Sequence, residues 1–229
     1  SAITRSDGVC RSAIGIAPSL DGTSRAHKPD EPIRSRTRGG RTLRSVPRLL
    51  SSTPARTVLS IWAWFALAVV ILVTVPLVAL VRLVTAPFDP GRYLAGRTFR
   101  MIGVVHEKLN PLWRFRVTGH VPDDPRRPYV VVANHESFVD ILLICHVPME
   151  MKWMSKSEFF KIPMLGWAMR LAGDIRLDRG DKKSGARALA ECRDRLDKRV
   201  SVMIFPEGTR SKTGELGEFK DGAFRVAVQ

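Results

Sequence analysis

The chain has 229 residues, of which 45% are hydrophobic and 26% charged, so it is long enough for one domain with a core and for additional segments. Its net charge of +15 argues against cationic partners and favours anionic ones, either nucleic acid or the phosphates of lipids. Three widely spaced cysteines without a Cys-x-x-Cys pair argue against a disulfide framework or a zinc site, and they favour a reducing compartment.

Residues 1–56 are rich in Ser, Gly, Pro and Arg, and they carry 11 Lys/Arg against 4 Asp/Glu. They show little apolar periodicity, and such a composition does not bury a core. We therefore predict a basic, disordered tail. Two interpretations of it stay open: an arm that binds nucleic acid or anionic lipid, or a solvated tail without such a role.

Residues 57–81 form a run of 25 residues without a charge. Spanning the hydrocarbon core of a bilayer takes about 20 apolar residues, whereas a cleaved signal peptide is shorter and nearer the N-terminus. Trp62 and Trp64 lie near one end, where interfacial anchors are common. We predict a membrane segment over residues 57–90, either one helix or, because Pro76 permits a bend, a helical hairpin. Arginines on both sides leave its orientation open.

Two further segments combine apolar and basic residues. Residues 91–113 place apolar side chains at near-helical spacing with Arg and Lys between them, which predicts an amphipathic helix. Residues 159–173 are apolar apart from Lys161 and Arg170. For each segment, contact with a bilayer and packing in the core are both open, and the second segment is also a candidate lining for an acyl-chain groove.

The rest of the chain alternates between strand-like and helix-like patterns. Strands are predicted at residues 114–119, 128–134, 150–156, 174–178 and 200–205, and helices at 138–146 and 184–199. Such alternation predicts an α/β fold in which helices flank a mixed central sheet, preceded by the membrane helix or hairpin. The corresponding domain covers residues 91–229.

One strand-like segment ends on a histidine. In VVVANHESFVDILLI, residues 130–144, a buried strand runs into a turn and then into an apolar helix. Ser137 and Asp140 have the spacing of a helix N-cap and the third helical residue, which leaves His135 in the turn. From the first helical turn, the carboxylate can point back at the imidazole and orient it as a general base. The helix N-terminus adds N–H groups suited to a phosphate or an oxyanion.

This stretch by itself leaves a plainer interpretation open, in which Asp140 only caps the helix and His135 is a hydrogen-bonded turn residue. Other chemistry is disfavoured. A zinc helix of the His-Glu-x-x-His type lacks its second histidine here, and the sequence has no Gly-x-Ser-x-Gly elbow and no Walker-type phosphate loop. We predict no metal ion and no cofactor.

Two later stretches offer candidate ligands. In IFPEGTRS, residues 204–211, a buried strand ends in a turn that presents Glu207, Gly208, Thr209 and Arg210. Gly208 allows close backbone approach, and Arg210 offers a planar fork for phosphate oxygens. In GDIRLDR, residues 173–179, Arg179 ends another strand. Taken singly, each stretch also fits an ordinary solvated turn.

In this order, the three pieces resemble the motifs of the glycerolipid acyltransferase family, typified by 1-acyl-glycerol-3-phosphate acyltransferase. The family's first motif, Asn-His-x4-Asp, corresponds to Asn134, His135 and Asp140. Its second, Gly-x-Ile-x-x-x-Arg, corresponds to Gly173, Ile175 and Arg179. Its third, Pro-Glu-Gly-Thr-Arg, matches residues 206–210, and FKDGAF at 219–224 resembles a further element. A fourth motif expected soon afterwards is absent, which predicts a C-terminally truncated chain.

The resemblance implies that His135, oriented by Asp140, takes a proton from the free hydroxyl of 1-acyl-glycerol-3-phosphate. The oxygen would then attack the thioester of acyl-CoA or acyl carrier protein, and phosphatidic acid would be the product. The resemblance further implies substrate-binding roles for residues of all three motifs: Asn134, Gly173, Arg179, Glu207, Gly208, Thr209 and Arg210.

The resemblance also implies a location. Because acyl thioesters are cytosolic, it predicts a protein of the inner or cytoplasmic membrane with its catalytic domain on the cytoplasmic side. Membrane lipids are then partners, and nucleic acid is not. The motifs do not specify the acceptor, so another lysophospholipid or a lyso-aminolipid is an alternative. A non-catalytic, membrane-anchored binder of anionic lipid is an alternative from another class.

Overall fold

The computed structural model describes residues 2–5, 11–18, 53–111, 113, 115–119, 122–211 and 215–228, the first two ranges by their backbone alone. The strands are β1 Ala2–Arg5, β2 Arg11–Pro18, β3 Phe115–Val117, β4 Tyr129–Ala133, β5 Met151–Lys156, β6 Ile175–Leu177 and β7 Ser201–Ile204. The helices are α1 Thr53–Thr85, α2 Tyr93–Leu109, α3 Val139–Ile144, α4 Leu165–Ala172, α5 Lys182–Asp197 and α6 Gly222–Val228, with a 3-10 turn at Ser157–Lys161. The strands and helices predicted after residue 91 are thereby confirmed within a few residues.

The strands form one mixed sheet in the order β3-β1-β2-β4-β7-β5-β6. The last four run parallel, with Val130 opposite Val202 and Met154 opposite Ile175. β4 and β7 are apolar and almost wholly buried, as is typical of parallel strands covered by helices on both faces. Because these strands are parallel, their carboxyl ends share one edge of the sheet, and the loops after β4 and β7 are neighbours there.

Side chains of β4 alternate between two cores on opposite faces of the sheet. Val131 and Ala133 pack with α3, which contributes Ile144 to the same cluster. Val130 packs instead with α5 and α6, in a cluster that contains Cys192. The predicted arrangement, a mixed central sheet flanked by helices, is therefore confirmed.

The first two strands differ from the prediction of a disordered tail over residues 1–56. β2 pairs antiparallel with β4, placing Ile14 opposite Ala133, and β1 joins β2 to β3. Composition measures the apolar surface that a segment can bury, whereas an added strand is also held by main-chain hydrogen bonds to its neighbour. The structure therefore differs from the predicted tail over residues 2–5 and 11–18. The rest of the tail before α1 lies outside the described residues.

The uncharged run forms one continuous helix, α1, with Pro76 inside it. An 18-residue window of α1 has a mean hydropathy of 2.8, and only 28% of that window is buried. By length and composition, α1 is therefore a candidate membrane span. The alternative of a hairpin bent at Pro76 is wrong. Instead, α1 pairs antiparallel with α2, and Trp62 near its start donates a hydrogen bond to the Leu109 carbonyl at 3.0 Å.

Both segments that combine apolar and basic residues contain helices with one buried side. Phe99 of α2 and Met169 of α4 lie in one core cluster with α1. Met101 of α2 and Trp167 of α4 are exposed on the other side. Core packing and an outward apolar surface thus coexist in each helix, so the two alternatives that the sequence left open do not exclude one another.

Four charged side chains lie between α2 and the amino ends of β5 and β6, and we call them the buried charge cluster: Arg100, Glu150, Lys152 and Asp174. Arg100 binds both carboxylate oxygens of Asp174, and Lys152 Nζ lies 2.9 Å from Glu150 Oε1. Lys152 also donates to the Arg92 carbonyl at 2.7 Å, next to the start of α2. Burial opposes the charge of Arg100, but the facing carboxylates outweigh burial and raise the pKa of the guanidinium.

Candidate active site

The loops after β4 and β7 meet at the carboxyl edge of the sheet. Phe205, directly after β7, stacks its ring on the imidazole of His135, with 4.0 Å between ring centroids and 20° between planes. A hydrogen bond also joins His135 to Glu207 across a sequence separation of 72 residues. The first and third motifs are therefore brought together, as the order of parallel strands requires.

The Asp140 carboxylate turns back onto the imidazole, as predicted. Its Oδ2 atom lies 3.1 Å from His135 Nδ1 and accepts main-chain N–H bonds from Glu136 and Ser137, each at 2.8 Å. These donors fill one oxygen of the carboxylate from three directions. Asp140 is therefore oriented by the turn that it also stabilises.

The start of α3 differs slightly from the predicted cap. The helix begins at Val139 with Phe138 in the cap position, so Ser137 lies one residue before the cap. Its hydroxyl nevertheless accepts a hydrogen bond from the Val139 N–H at 3.2 Å. Helix ends vary by a residue or two, and both side chains of the predicted capping pair are engaged. Asp140 thus stabilises the helix start and aims the histidine at the same time.

Electrostatics assign the protons of this pair. Burial opposes ionisation of Asp140, but hydrogen bonds from His135 and from the N–H groups of Ser137 and Glu136 outweigh it and hold the pKa of this carboxyl below its usual value. Because an ionised carboxylate accepts hydrogen bonds, His135 Nδ1 carries the proton and Nε2 is the basic nitrogen of the neutral ring. Within the described part of the chain, Nε2 has no hydrogen-bond partner.

The sequence predicts a substrate-binding role for Glu207, but its carboxylate binds main chain instead. Oε1 accepts the His135 N–H at 2.8 Å, and Oε2 accepts the Gly217 N–H at 3.0 Å. The Ser211 N–H donates to the His135 carbonyl at 2.7 Å. The main chain of His135 is thus held on both sides by the loop that follows β7.

The other predicted residues of the first and third motifs lie around His135. Gly208 has a φ of 68°, in the left-handed region that favours glycine. Thr209 and Arg210 are exposed, so a substrate can reach their side chains. Asn134 is half-buried, and its amide donates to a Glu136 carboxylate oxygen at 2.8 Å. The loop after β7 thus presents a cation and a hydroxyl to solvent, next to the residue whose N–H binds the His135 carbonyl.

The second motif spans β6, so its two ends lie at opposite edges of the sheet. Gly173 precedes β6 at the end of α4, with a φ of 83°, and its carbonyl accepts a hydrogen bond from Arg195 at 3.2 Å. A left-handed helix cap accounts for this glycine, and its position is away from His135. Arg179 follows β6 at the same edge as His135 and is exposed, but β7 and β5 lie between β4 and β6.

Two lysines near this edge were not singled out by the sequence. Lys220 belongs to FKDGAF; its main-chain N–H donates to the Pro206 carbonyl at 2.9 Å, and its Nζ would lie 2.9 Å from a Cβ placed on Gly208. Lys156 is the last residue of β5 and pairs with Glu158 at 2.8 Å. Each could have been found by asking which cations end a parallel strand or follow the third motif.

Neither described cysteine is a nucleophile. Burial raises the pKa values of the Cys145 and Cys192 thiols to about 12, so neither is a thiolate at neutral pH. Cys10 lies outside the described residues. Among the residues that the structure does describe, no three His, Cys, Asp or Glu side chains are grouped as metal ligands.

Sequence comparisons agree with this geometry. The acyltransferase family model matches residues 114–229. A 1-acyl-sn-glycerol-3-phosphate acyltransferase of Chlamydomonas reinhardtii is 35% identical over 96% of this chain and 66% of its own length. A chloroplastic one of Arabidopsis thaliana is 42% identical over 53% of this chain and 34% of its own, and one of Helicobacter pylori is 40% identical over 43% and 42%. The chain thus spans two thirds or less of these relatives' lengths.

A solved structure is also similar. The crystal structure of the 1-acyl-sn-glycerophosphate (LPA) acyltransferase PlsC from Thermotoga maritima matches with a TM-score of 0.56 at 24% identity, over 75% of this chain and 68% of that one. At this identity the likeness concerns the fold alone. The family model, in contrast, covers half of the chain and includes His135, Asp140 and the loop after β7. The chain therefore belongs to the acyltransferase family.

Proposed function

We propose that the protein transfers a fatty acyl group from acyl-CoA or acyl carrier protein to the free hydroxyl of 1-acyl-glycerol-3-phosphate, which gives phosphatidic acid. The observation that carries the proposal is the pair formed by His135 Nδ1 and Asp140 Oδ2 at 3.1 Å, beside the exposed Arg210. Membership of the family supports the reaction class, and the names of the relatives support the acceptor.

In this mechanism His135 is the general base. Its Nε2 atom takes the proton of the acceptor hydroxyl while the hydroxyl oxygen attacks the thioester carbonyl carbon, and Asp140 stabilises the imidazolium that forms. The tetrahedral intermediate then collapses, the carbon–sulfur bond breaks, and the leaving thiolate takes the proton from Nε2. The acyl group moves directly from donor to acceptor, so the reaction uses no acyl-enzyme and no cofactor.

The acceptor phosphate is held by the loop after β7. Arg210 offers two parallel N–H donors to phosphate oxygens, and Lys220 adds a second cation beside Gly208. The Thr209 hydroxyl is a further donor. Arg179 lies at the same edge of the sheet, where it can meet a substrate that extends past the ends of β7 and β5.

The reaction takes place at the membrane that contains the acceptor. The apolar helix α1 supports this location, and the exposed Met101 and Trp167 suit contact with lipid. Because acyl thioesters are cytosolic, we assign the catalytic domain to the cytoplasmic side of an inner or cytoplasmic membrane. Membrane lipids are the expected partners, and nucleic acid is not.

The test uses full-length protein in membranes with labelled acyl-CoA or acyl carrier protein and a panel of acceptors. We expect phosphatidic acid from lysophosphatidic acid. Preferred turnover of another lysophospholipid or a lyso-aminolipid would change the acceptor and leave the chemistry intact. Transfer to no acceptor, together with binding to anionic vesicles, would favour a non-catalytic binder of anionic lipid.

A further inference from the structure

Glu207 is buried although it belongs to the loop that borders the candidate active site. The residue is 6% exposed, and each of its carboxylate oxygens accepts a main-chain N–H bond, one from His135 and one from Gly217. The hydrogen bonds that this carboxylate accepts are stronger in the buried site than they would be in water, because charge-assisted hydrogen bonds strengthen where water is excluded. Glu207 thus links the main chain at His135 to the main chain at Gly217 inside the protein.

The sign of its charge also opposes a role in holding the acceptor. A carboxylate and a phosphate repel each other at contact distance, and the repulsion grows as water is excluded. The cations that suit a phosphate, Arg210 and Lys220, lie on the exposed side of the same loop. Glu207 thus lies on the buried side of the loop and the candidate ligands on the exposed side.

His135 is the residue that this connection holds in place. Its N–H is bound by Glu207, its carbonyl accepts the Ser211 N–H at 2.7 Å, and its ring is oriented by Asp140. The first two bonds both come from the loop after β7, and the third comes from α3. The loop after β7 therefore fixes the position of the His135 main chain, and Asp140 fixes the orientation of the imidazole ring.

We propose that Glu207 is a positioning residue, which fixes the main chain of His135 relative to the loop that binds the acceptor. This inference rests on the proposed function, and it replaces the substrate-binding role that the resemblance implies for Glu207. A general base displaced by about 1 Å loses on the order of 100-fold in rate. Loss of Glu207 consequently lowers kcat and leaves acceptor binding nearly unchanged.

The experiment compares Glu207→Gln and Glu207→Ala with Glu218→Gln, a control that removes the same charge from an exposed site on the neighbouring segment. Steady-state kinetics with full-length protein separate kcat from KM for lysophosphatidic acid. We expect kcat to fall about 10-fold for the Gln variant and about 100-fold for the Ala variant, with KM within about twofold and the pH profile unmoved. A raised KM at unchanged kcat would overturn the proposal.

Amide hydrogen exchange gives a readout that needs no substrate. The His135 N–H should exchange faster in both Glu207 variants and normally in Glu218→Gln, while the melting temperature reports whether each variant is folded. If the Ala variant does not fold, the Gln variant decides. Unchanged protection of the His135 N–H would overturn the inference. Wild-type protein that makes no phosphatidic acid would instead overturn the proposed function, whatever the exchange data show.

Discussion

The two edges of the parallel sheet treat buried charge differently. At the amino edge, the buried charge cluster pairs Arg100 with Asp174 and Lys152 with Glu150, so side chains of opposite charge face one another. At the carboxyl edge, the carboxylates of Asp140 and Glu207 bind main-chain N–H groups, and Asp140 orients His135. The first arrangement joins α2 to the strands through ion pairs. The second holds both the main chain and the ring of His135, the proposed base.

Removing the proposed base should show the contrast between the two edges most clearly, because it should affect the rate far more than the stability. We expect His135→Ala to lower the rate of phosphatidic acid formation by about 10³-fold, because a general base contributes about 10²- to 10⁴-fold. The free energy of unfolding should fall by only about 1–2 kcal/mol, because the stacking on Phe205 and the hydrogen bond to Asp140 are both lost. Kinetics and thermal unfolding of the same preparation measure both. A variant with the wild-type rate would remove His135 from the mechanism.

Breaking the buried charge cluster should give the opposite profile. Arg100→Met leaves the buried Asp174 carboxylate without its cation and removes one of the two cations beside Glu150, and we expect a loss of about 3–5 kcal/mol in unfolding free energy. The rate per folded molecule should stay near that of wild type at low temperature. Denaturant unfolding in detergent measures the loss.

The matched control for Arg100→Met is Arg225→Met. It breaks a pair with Asp221 in which both side chains are at least 70% exposed, and we expect a change within about 0.5 kcal/mol. Similar small losses for both variants would mean that the cluster contributes no more than a surface ion pair.

Neutralising Asp140 should lower the free energy of unfolding, and the loss should depend on pH. In Asp140→Asn, an amide oxygen replaces the carboxylate that accepts three hydrogen bonds, and we expect a loss of about 1–2 kcal/mol at pH 7. The pKa of Asp140 in the folded protein lies below its ordinary value of 3.8, so its contribution is complete above that pH and is lost as the pH falls through the folded-state pKa. Unfolding free energies of wild type and variant, compared from pH 8 to pH 3, should therefore converge only below about pH 4.

A glycine pair gives the smallest and finest test. A Cβ on Gly96 in α2 would clash with Glu150 and Lys152, whereas Gly185 in α5 has nothing within 4 Å. Alanine favours a helix over glycine by about 1 kcal/mol, so Gly185→Ala should stabilise the protein by up to that amount. Gly96→Ala should destabilise it by about 1 kcal/mol, because overpacking outweighs propensity. Thermal unfolding measures whether each variant is more or less stable than wild type. Stabilisation by Gly96→Ala would show that the side chains of the buried charge cluster can move to accommodate the methyl group.

The features that follow from neighbouring residues were predictable. The strand, turn and helix around His135 lie within fifteen residues, and their apolar pattern and capping spacing place Asp140 where its carboxylate can point back at the imidazole. The meeting of the first and third motifs was implied by the family resemblance, and the parallel strands account for it, because they bring their carboxyl ends to one edge.

What depends on distant partners was not predictable. Arg100 and Asp174 are 74 residues apart, and Glu207 and His135 are 72 apart, so neither contact leaves a local pattern. Gly173 was assigned to the site by its motif, although the motif spans a whole strand and reaches the far edge. The pairing of β1 and β2 depends on main-chain hydrogen bonds, which amino-acid composition does not reveal.

The main-chain bonds from Glu207 and Ser211 to His135 also limit how this protein can be re-engineered. A designer who wants another headgroup would begin by exchanging residues 206–211, since the exposed cation Arg210 is there. The same six residues hold the histidine, so a transplanted loop alters rate and selectivity together. Selectivity is therefore better evolved at positions such as Lys220, whose side chain lies over the loop while its own main chain makes no bond to His135.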